Sequence, residues 1–191
     1  MADSVETHTE HRTLDELRAG LDDVRSAPKD GGRLELIVAR PAVDDRVELA
    51  VAELDVDRGL VADRWSRGSK PNPNSQVTVM NVRATRLAAG DRSRWALAGD
   101  QLYVDLDLSP ENIPPGTRLE IGSAILEVSE QPHLGCEKFA ARFGMEARVF
   151  FNSPEGTALS LRGINARVVR GGTARAGDAV RKLAREDAGQ H

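Results

Sequence analysis

The spacing of apolar positions changes character near residue 33. Before it, Leu14, Leu17, Leu21 and Val24 recur three or four residues apart, the period of one helical face. Thr13 followed by Glu16 has the form of a capping box, so a helix is predicted to begin at Thr13. The run Pro28-Lys29-Asp30-Gly31-Gly32 ends it and makes a linker. From Arg33 onward the period falls to two. Leu34, Leu36 and Val38 alternate with other residues until Pro41, and Val47, Leu49 and Val51 repeat the pattern ahead of an acidic turn at Asp55 and Asp57. Further strands are predicted over residues 76–82, 101–106, 118–121, 124–129, 164–170 and 179–183, with Gly122-Ser123 as a two-residue hairpin turn. Short helices are predicted at 83–89, 136–143 and 145–151.

Many short strands separated by Gly, Pro and Asp turns point to a mostly β domain, a barrel or a sandwich, with few short α-helices. The chain divides into residues 1–32, a flexible tail plus the N-terminal helix; residues 33–183, the β domain; and residues 184–191, a C-terminal tail.

Composition narrows the function classes. The 191 residues are 40% hydrophobic, enough for a core, but aromatic residues are 4% and the net charge is −4. That is neither a base-stacking surface nor a basic footprint, so no nucleic-acid partner is expected. The opening residues are polar, and no apolar run approaches the ~18 residues that would cross a bilayer, so no membrane partner is expected and a cytoplasmic location is. No dinucleotide or P-loop glycine pattern occurs. A single cysteine and four scattered histidines give neither a disulfide framework nor zinc-ligand spacing.

The single cysteine, Cys136, is the strongest chemical candidate. Pro132 and Gly135 place it on a turn, it opens a predicted helix whose free N–H groups favour a thiolate, and His133 precedes it by three residues. Arg64, Arg67 and Lys70 gather near one Gly-containing loop and suit a small anionic ligand. Asp63 and Arg64 are expected to pair locally. Trp65 and Trp95 are read as core or rim residues, and Asp178 as a turn former.

Three stretches together resemble the MOSC domain, the family named for the carboxy-terminal part of molybdenum cofactor sulfurases. They are Gly59-Leu60-Val61-Ala62-Asp63-Arg64-Trp65; Gln131-Pro132-His133-Leu134-Gly135-Cys136-Glu137-Lys138-Phe139 with Arg142-Phe143-Gly144; and Leu161-Arg162-Gly163-Ile164-Asn165 with Gly172-Thr173 and Gly177-Asp178. Glu111-Asn112-Ile113 and Ile121-Gly122 fit the family's central region, so the resemblance spans roughly residues 33–183. Ala62 departs from it, standing where the family usually has glycine; a positive φ there would strain an alanine.

The resemblance implies a β-barrel-like fold and a bound molybdenum cofactor (molybdopterin). Cys136 is then either the metal ligand or a persulfide carrier. His133 is a further catalytic candidate, and Asp63, Arg64, Lys70, Asn112, Arg142, Arg162 and Asn165 are candidates for the cofactor pocket. The implied reaction is reduction of an N-hydroxylated base or amidoxime, a small-molecule substrate, with electrons from a separate reductase. Two alternatives stand beside it: a non-catalytic carrier of sulfur or cofactor, served by a separate cysteine desulfurase because residues 1–32 are too few for a desulfurase domain, and an interaction domain with an idle pocket.

Overall fold

The computed structural model describes residues 11–184. The tails expected at the two ends fall mostly outside these residues. The N-terminal capping box forms: the Thr13 side chain accepts from the Glu16 N–H, and the Glu16 carboxylate accepts from the Thr13 N–H at 2.8 Å. Gly20 divides the predicted helix into α1 (Leu14–Ala19) and α2 (Leu21–Arg25), and Leu17, Leu21 and Val24 are buried beneath it.

The strands in chain order are β1 (Gly32–Ala39), β2 (Val47–Leu49), β3 (Val51–Asp55), β4 (Gly59–Leu60), β5 (Val77–Asn81), β6 (Leu102–Asp105), β7 (Arg118–Ile121), β8 (Ala124–Val128), β9 (Ile164–Arg170), β10 (Gly172–Arg175) and β11 (Ala179–Leu183). Neighbours run β11-β7-β8-β9-β5-β6-β1, and β1 also pairs with β11, so seven strands close into a barrel. All barrel pairs are antiparallel except β5 with β6. A parallel pair needs a crossover, and here it consists of α3 (Val82–Ala89) and a 3-10 helix, Arg92–Ala98. The stretch 47–51, expected as one strand, breaks at Ala50: β2 extends the β1 edge, while β3 joins β4 and β10 in a separate three-stranded sheet. Sheet β10-β3-β4 escapes the sequence reading because β4 is two residues long and β10 begins at a glycine.

The alternation of strand side chains builds two cores. Leu34, Ile37, Val77, Val79, Leu102 and Val104 point inward with Leu119, Leu126 and Ala166. Leu36, Val38, Met80 and Tyr103, on the other face of the same strands, pack under a helical layer. That layer contains α4 (Glu137–Phe143) and α5 (Met145–Phe151), separated by Gly144 at φ 93°, and then α6 (Pro154–Ala158). Phe139, Phe143, Phe150 and Phe151 supply its apolar face, so four of the chain's few aromatic residues are spent here. Among the described residues no helix is long and apolar enough to cross a membrane.

Gly163, between α6 and β9, has φ 96°, and a Cβ there would lie 2.3 Å from the Val79 carbonyl oxygen. Only glycine satisfies both conditions. Ala62 is not among the residues with positive φ, so the departure from glycine introduces no backbone strain in that loop.

Candidate functional site

Cys136 is the N-cap of α4 and is exposed to solvent. Partial burial raises its thiol pKa, but N–H groups of Phe139 and Lys138 directed at the sulfur, together with the positive charge of Arg162, outweigh this and hold it below the ordinary value. A helix N-terminus stabilises an anion by this means. The turn that presents the thiol is pinned from behind. Asn152, the residue after α5, accepts from the Gly135 N–H at 2.7 Å and donates to the Gly135 carbonyl at 2.9 Å. Arg148 donates to the same carbonyl at 3.3 Å and pairs with Glu137.

Behind the turn lies a buried polar cluster. Asp100 has no exposed side-chain surface; one carboxylate oxygen is 2.8 Å from His133 Nε2 and the other 2.6 Å from an Arg162 guanidinium nitrogen. Burial alone would raise the Asp100 pKa, but Arg162 and His133 overcome it and hold it near about 2. Desolvation, with Arg162 nearby, lowers the His133 pKa despite Asp100. An ionised Asp100 can only accept, so the neutral imidazole carries its proton on Nε2 and leaves Nδ1 as a free lone pair. No hydrogen bond joins His133 to Cys136 among the described residues; the histidine is held by Asp100, and not by the backbone of its own turn. Arg162 also stacks over the Phe139 ring, 5.1 Å from its centroid.

The 3-10 helix ending at Ala98 organises the cations. A helix C-terminus leaves carbonyls unpaired and its dipole favours positive charge. Three consecutive carbonyls here each receive an arginine: Leu97 from Arg142 at 2.9 Å, Ala98 from Arg162 at 3.0 Å and Gly99 from Arg40 at 2.9 Å. Arg46 lies beside them. Burial and the neighbouring charges of Arg142 and Arg40 lower its pKa, and its buried Nε has no partner among the described residues. Arg40, Arg64, Trp65 and Arg67 line an open hollow of about 380 Å³.

The expected site residues separate into groups. His133, Arg142 and Arg162 come together around residues 97–100, and Cys136 is linked to them through the charge of Arg162. Arg64 lines the cation-rimmed hollow, while Lys70 is exposed further along the same loop and lies outside its lining. The expected Asp63–Arg64 pair does not form. Asp63 lies in the lining of the hollow, but its side chain has no exposed surface and accepts from Arg40 through the backbone N–H, Nε and a terminal nitrogen, so it fixes Arg40. Asn112 stitches the linker to the barrel: it donates to the Lys29 and Asp107 carbonyls and accepts from Lys182, which uses up its amide. Asn165 is buried and donates to the Gln131 and Pro132 carbonyls at 3.1 Å each, tethering the turn that precedes the cysteine. Residues 97–100, Arg40 and Asn152 were not legible as site residues, because each acts through a partner distant in sequence.

The family model for the MOSC domain matches residues 75–181, more than half of the chain. The chain belongs to the MOSC domain family. The matched span includes the cysteine turn, Asp100 and Arg162; β1, outside it, completes the barrel by pairing with β6 and β11. Among solved structures, the YuaD protein of Bacillus subtilis superposes with a TM-score of 0.53 at 17% identity, covering 78% of this chain and 93% of that one. YiiM from Escherichia coli gives 0.53 at 20% identity, covering 80% and 70%. A protein described as hypothetical gives 0.57 at 19% identity, covering 82% and 70%. These likenesses establish the fold. No functionally curated protein matches the sequence significantly.

Proposed function

We propose that this MOSC protein binds the molybdenum cofactor with the Cys136 thiolate as metal ligand and reduces N-hydroxylated bases or amidoximes. The observation that carries the reading is the placement of Cys136: an exposed sulfur on a helix N-terminus, ionised more readily than a free thiol under the N–H groups of Phe139 and Lys138 and the charge of Arg162. The residues present fit the group. A thiolate is a soft donor suited to molybdenum in a dithiolene ligand field. Arg40, Arg64 and Arg67 border an open hollow of about 380 Å³ whose positive charge suits a phosphate, and Arg46 keeps a buried N–H in want of an acceptor.

When bound, the cofactor supplies the two-electron chemistry. The net conversion takes an N–OH group, two electrons and two protons to N–H and water. The electrons come from a separate reductase, since the chain carries no flavin or iron–sulfur motif. The protein's own share is to hold the thiolate in place through Asn152 and α4, to place guanidinium charge against phosphate, and to keep an unprotonated Nδ1 on His133 that takes up and passes on a proton. Protein expressed in a cofactor-producing host should contain molybdenum in proportion to chain, and Cys136→Ala should lose both the metal and amidoxime reduction. Full metal content and activity in that variant would overturn the assignment of the ligand.

A second reading rests on the exposure itself. A thiolate on an open turn is reachable by another protein, as sulfur transfer requires. In that case Cys136 attacks the terminal sulfur of a desulfurase persulfide, forming a Cys136 persulfide and releasing the desulfurase thiolate. Incubation with a cysteine desulfurase and cysteine should add one sulfur mass to the peptide containing Cys136; an unmodified peptide would remove this reading.

A further inference from the structure

The cations around Gly99 outnumber the carboxylates that face them. Asp63 answers Arg40, and Asp100 answers Arg162. Arg46, Arg142 and Lys138 have one carboxylate between them, Asp44, which lies 3.2 Å from an Arg142 terminal nitrogen and 3.3 Å from Lys138 Nζ. Other acids close in sequence are used elsewhere: Asp45 accepts from the Arg46 backbone N–H at 2.9 Å, Glu48 pairs with Arg92, and Glu137 pairs with Arg148. A Cβ on Gly99, which has φ 90°, would lie 3.4 Å from Arg142 Nη1 and 3.6 Å from Arg46 Nη2. Two guanidinium groups therefore converge over a residue with no side chain to separate them. Arg142 Nη1 donates to the Leu97 carbonyl and Arg46 Nη1 to the Asp45 carbonyl. Arg46 Nη2 has no partner among the described residues and, unlike Nε, is not sealed from solvent.

Asp44 sits in the loop between β1 and β2, and its geometry is that of a displaceable occupant. Its φ is 59°, in the left-handed region that few non-glycine residues adopt, and its side chain is 63% exposed. The hydrogen bond from Lys138, followed by the charges of Lys138, Arg142 and Arg46, holds its carboxyl below the ordinary value, so it is an anion at neutral pH. Exposed ion pairs of this kind contribute little to stability. A phosphate-type oxyanion brings more charge and more acceptor oxygens than one carboxylate, and is the better partner for two converging guanidinium groups.

We propose that Arg46, Arg142 and Lys138 form a binding site for a phosphate-type oxyanion, and that Asp44 occupies this site in cis as an internal competitor. Binding is an exchange: the oxyanion accepts from the terminal nitrogens of Arg46 and Arg142 and from Lys138 Nζ, and Asp44 turns out into solvent. Because Asp44 is tethered beside the cations, its effective concentration is high, and it lowers the apparent affinity for a free anion by the fraction of time it fills the site. A monocarboxylate gains nothing over Asp44, so the arrangement selects for dianions. The dianion is either the free phosphate ion or a phosphate monoester, the group that the proposed cofactor would carry. Neither Arg64 nor Arg67 contributes to this site, and it stands whether or not Cys136 ligates a metal.

The test uses the full chain free of cofactor, titrated with inorganic phosphate at fixed ionic strength and followed by NMR of the Gly99 amide and the arginine side-chain N–H groups. Saturable shifts are expected at Gly99, Arg46 and Arg142 at millimolar concentration, with acetate giving none. Asp44→Asn and Asp44→Gly, both compatible with the left-handed backbone, should bind phosphate roughly tenfold more tightly. Lys138→Gln should bind it more weakly. Asp44 and Lys138 are exposed, so these variants are expected to fold. Glycerol 3-phosphate is titrated in parallel: tighter binding than inorganic phosphate assigns the site to an ester, equal or weaker binding assigns it to the free ion, and either supports the site. No saturation by either anion up to about 10 mM, or shifts confined to Arg64 and Arg67, would overturn it. Equal phosphate affinity in the wild type and the Asp44 variants would overturn the competitor role. Molybdenum is absent from this experiment, so its failure leaves the Cys136 assignment untouched, and loss of molybdenum binding leaves this result untouched.

Discussion

Asp100 and Arg162 form an ion pair at 2.6 Å with the carboxylate fully buried and the guanidinium 7% exposed. Together they link three parts of the molecule: the crossover before β6, the glycine step into β9, and, through His133, the turn that carries the cysteine.

Breaking that pair should be severe. Asp100→Asn leaves a guanidinium charge buried without its counter-ion, which is expected to destabilise the fold by about 3–5 kcal/mol. Thermal or urea unfolding measures it. The acid limb should change as well. The Asp100 pKa is depressed to about 2, so its stabilisation is present above the ordinary carboxylate range of ~3.9 and lost as pH falls toward 2. The variant should lack that part of the acid dependence. An unchanged acid limb would mean that the carboxylate is not ionised in the folded state.

His133 carries the opposite kind of linkage. Its folded pKa lies below the ordinary ~6.5, so protonation favours the unfolded chain and stability declines as pH drops beneath that value. An NMR titration of the imidazole should show a midpoint lower than that of an unstructured histidine peptide. His133→Phe should flatten the stability profile below about pH 6.5. A normal or raised midpoint would contradict the neutral tautomer with its proton on Nε2.

The thiol makes a prediction that needs no cofactor. Alkylation of Cys136 by iodoacetamide should follow an ionisation below that of a free cysteine in an unstructured peptide. Asn152→Ala, which removes both bonds to Gly135, should slow alkylation at neutral pH by releasing the turn from the helix end, and should reduce stability by about 1–3 kcal/mol. Cys136→Ser, in contrast, should leave the unfolding midpoint nearly unchanged because the side chain is exposed.

Gly163→Ala should fail to give folded protein or lose several degrees of Tm. The strain of positive φ alone is about 1–3 kcal/mol, and the added carbon meets the Val79 carbonyl. Circular dichroism melts of the purified variant would decide.

What the sequence revealed depended on how local each signal was. Strands β7, β9 and β11 match their expected limits residue for residue, since each is an alternating run bounded by Gly or Asp. The capping box, the Gly122-Ser123 hairpin and the Asn81-capped switch from strand to helix were of the same local kind, although the last shortened the predicted strand by Val82. Cys136 was legible because a cysteine that starts a helix has a chemistry of its own. The rest of the site was not, because Asp63 is separated from Arg40 by 23 residues and Asp100 from Arg162 by 62. Charged residues of that kind look like surface positions until the fold pairs them. Asn112 was misleading for the same reason: an asparagine that bridges a linker to a strand has the same letter as one that faces a ligand.

The seam between β1 and β11 joins only Gly32 to Val180 and Arg33 to Ala179. The first and last of the described strands thus meet each other directly, and that pairing closes the ring. During synthesis β2 can cover only Ile37–Ala39 of β1, so the start of β1 lacks its partner on that side until β11 has been made and the barrel closes only then. Removal of β11 would leave not a smaller barrel but an open, curved sheet with two sticky margins.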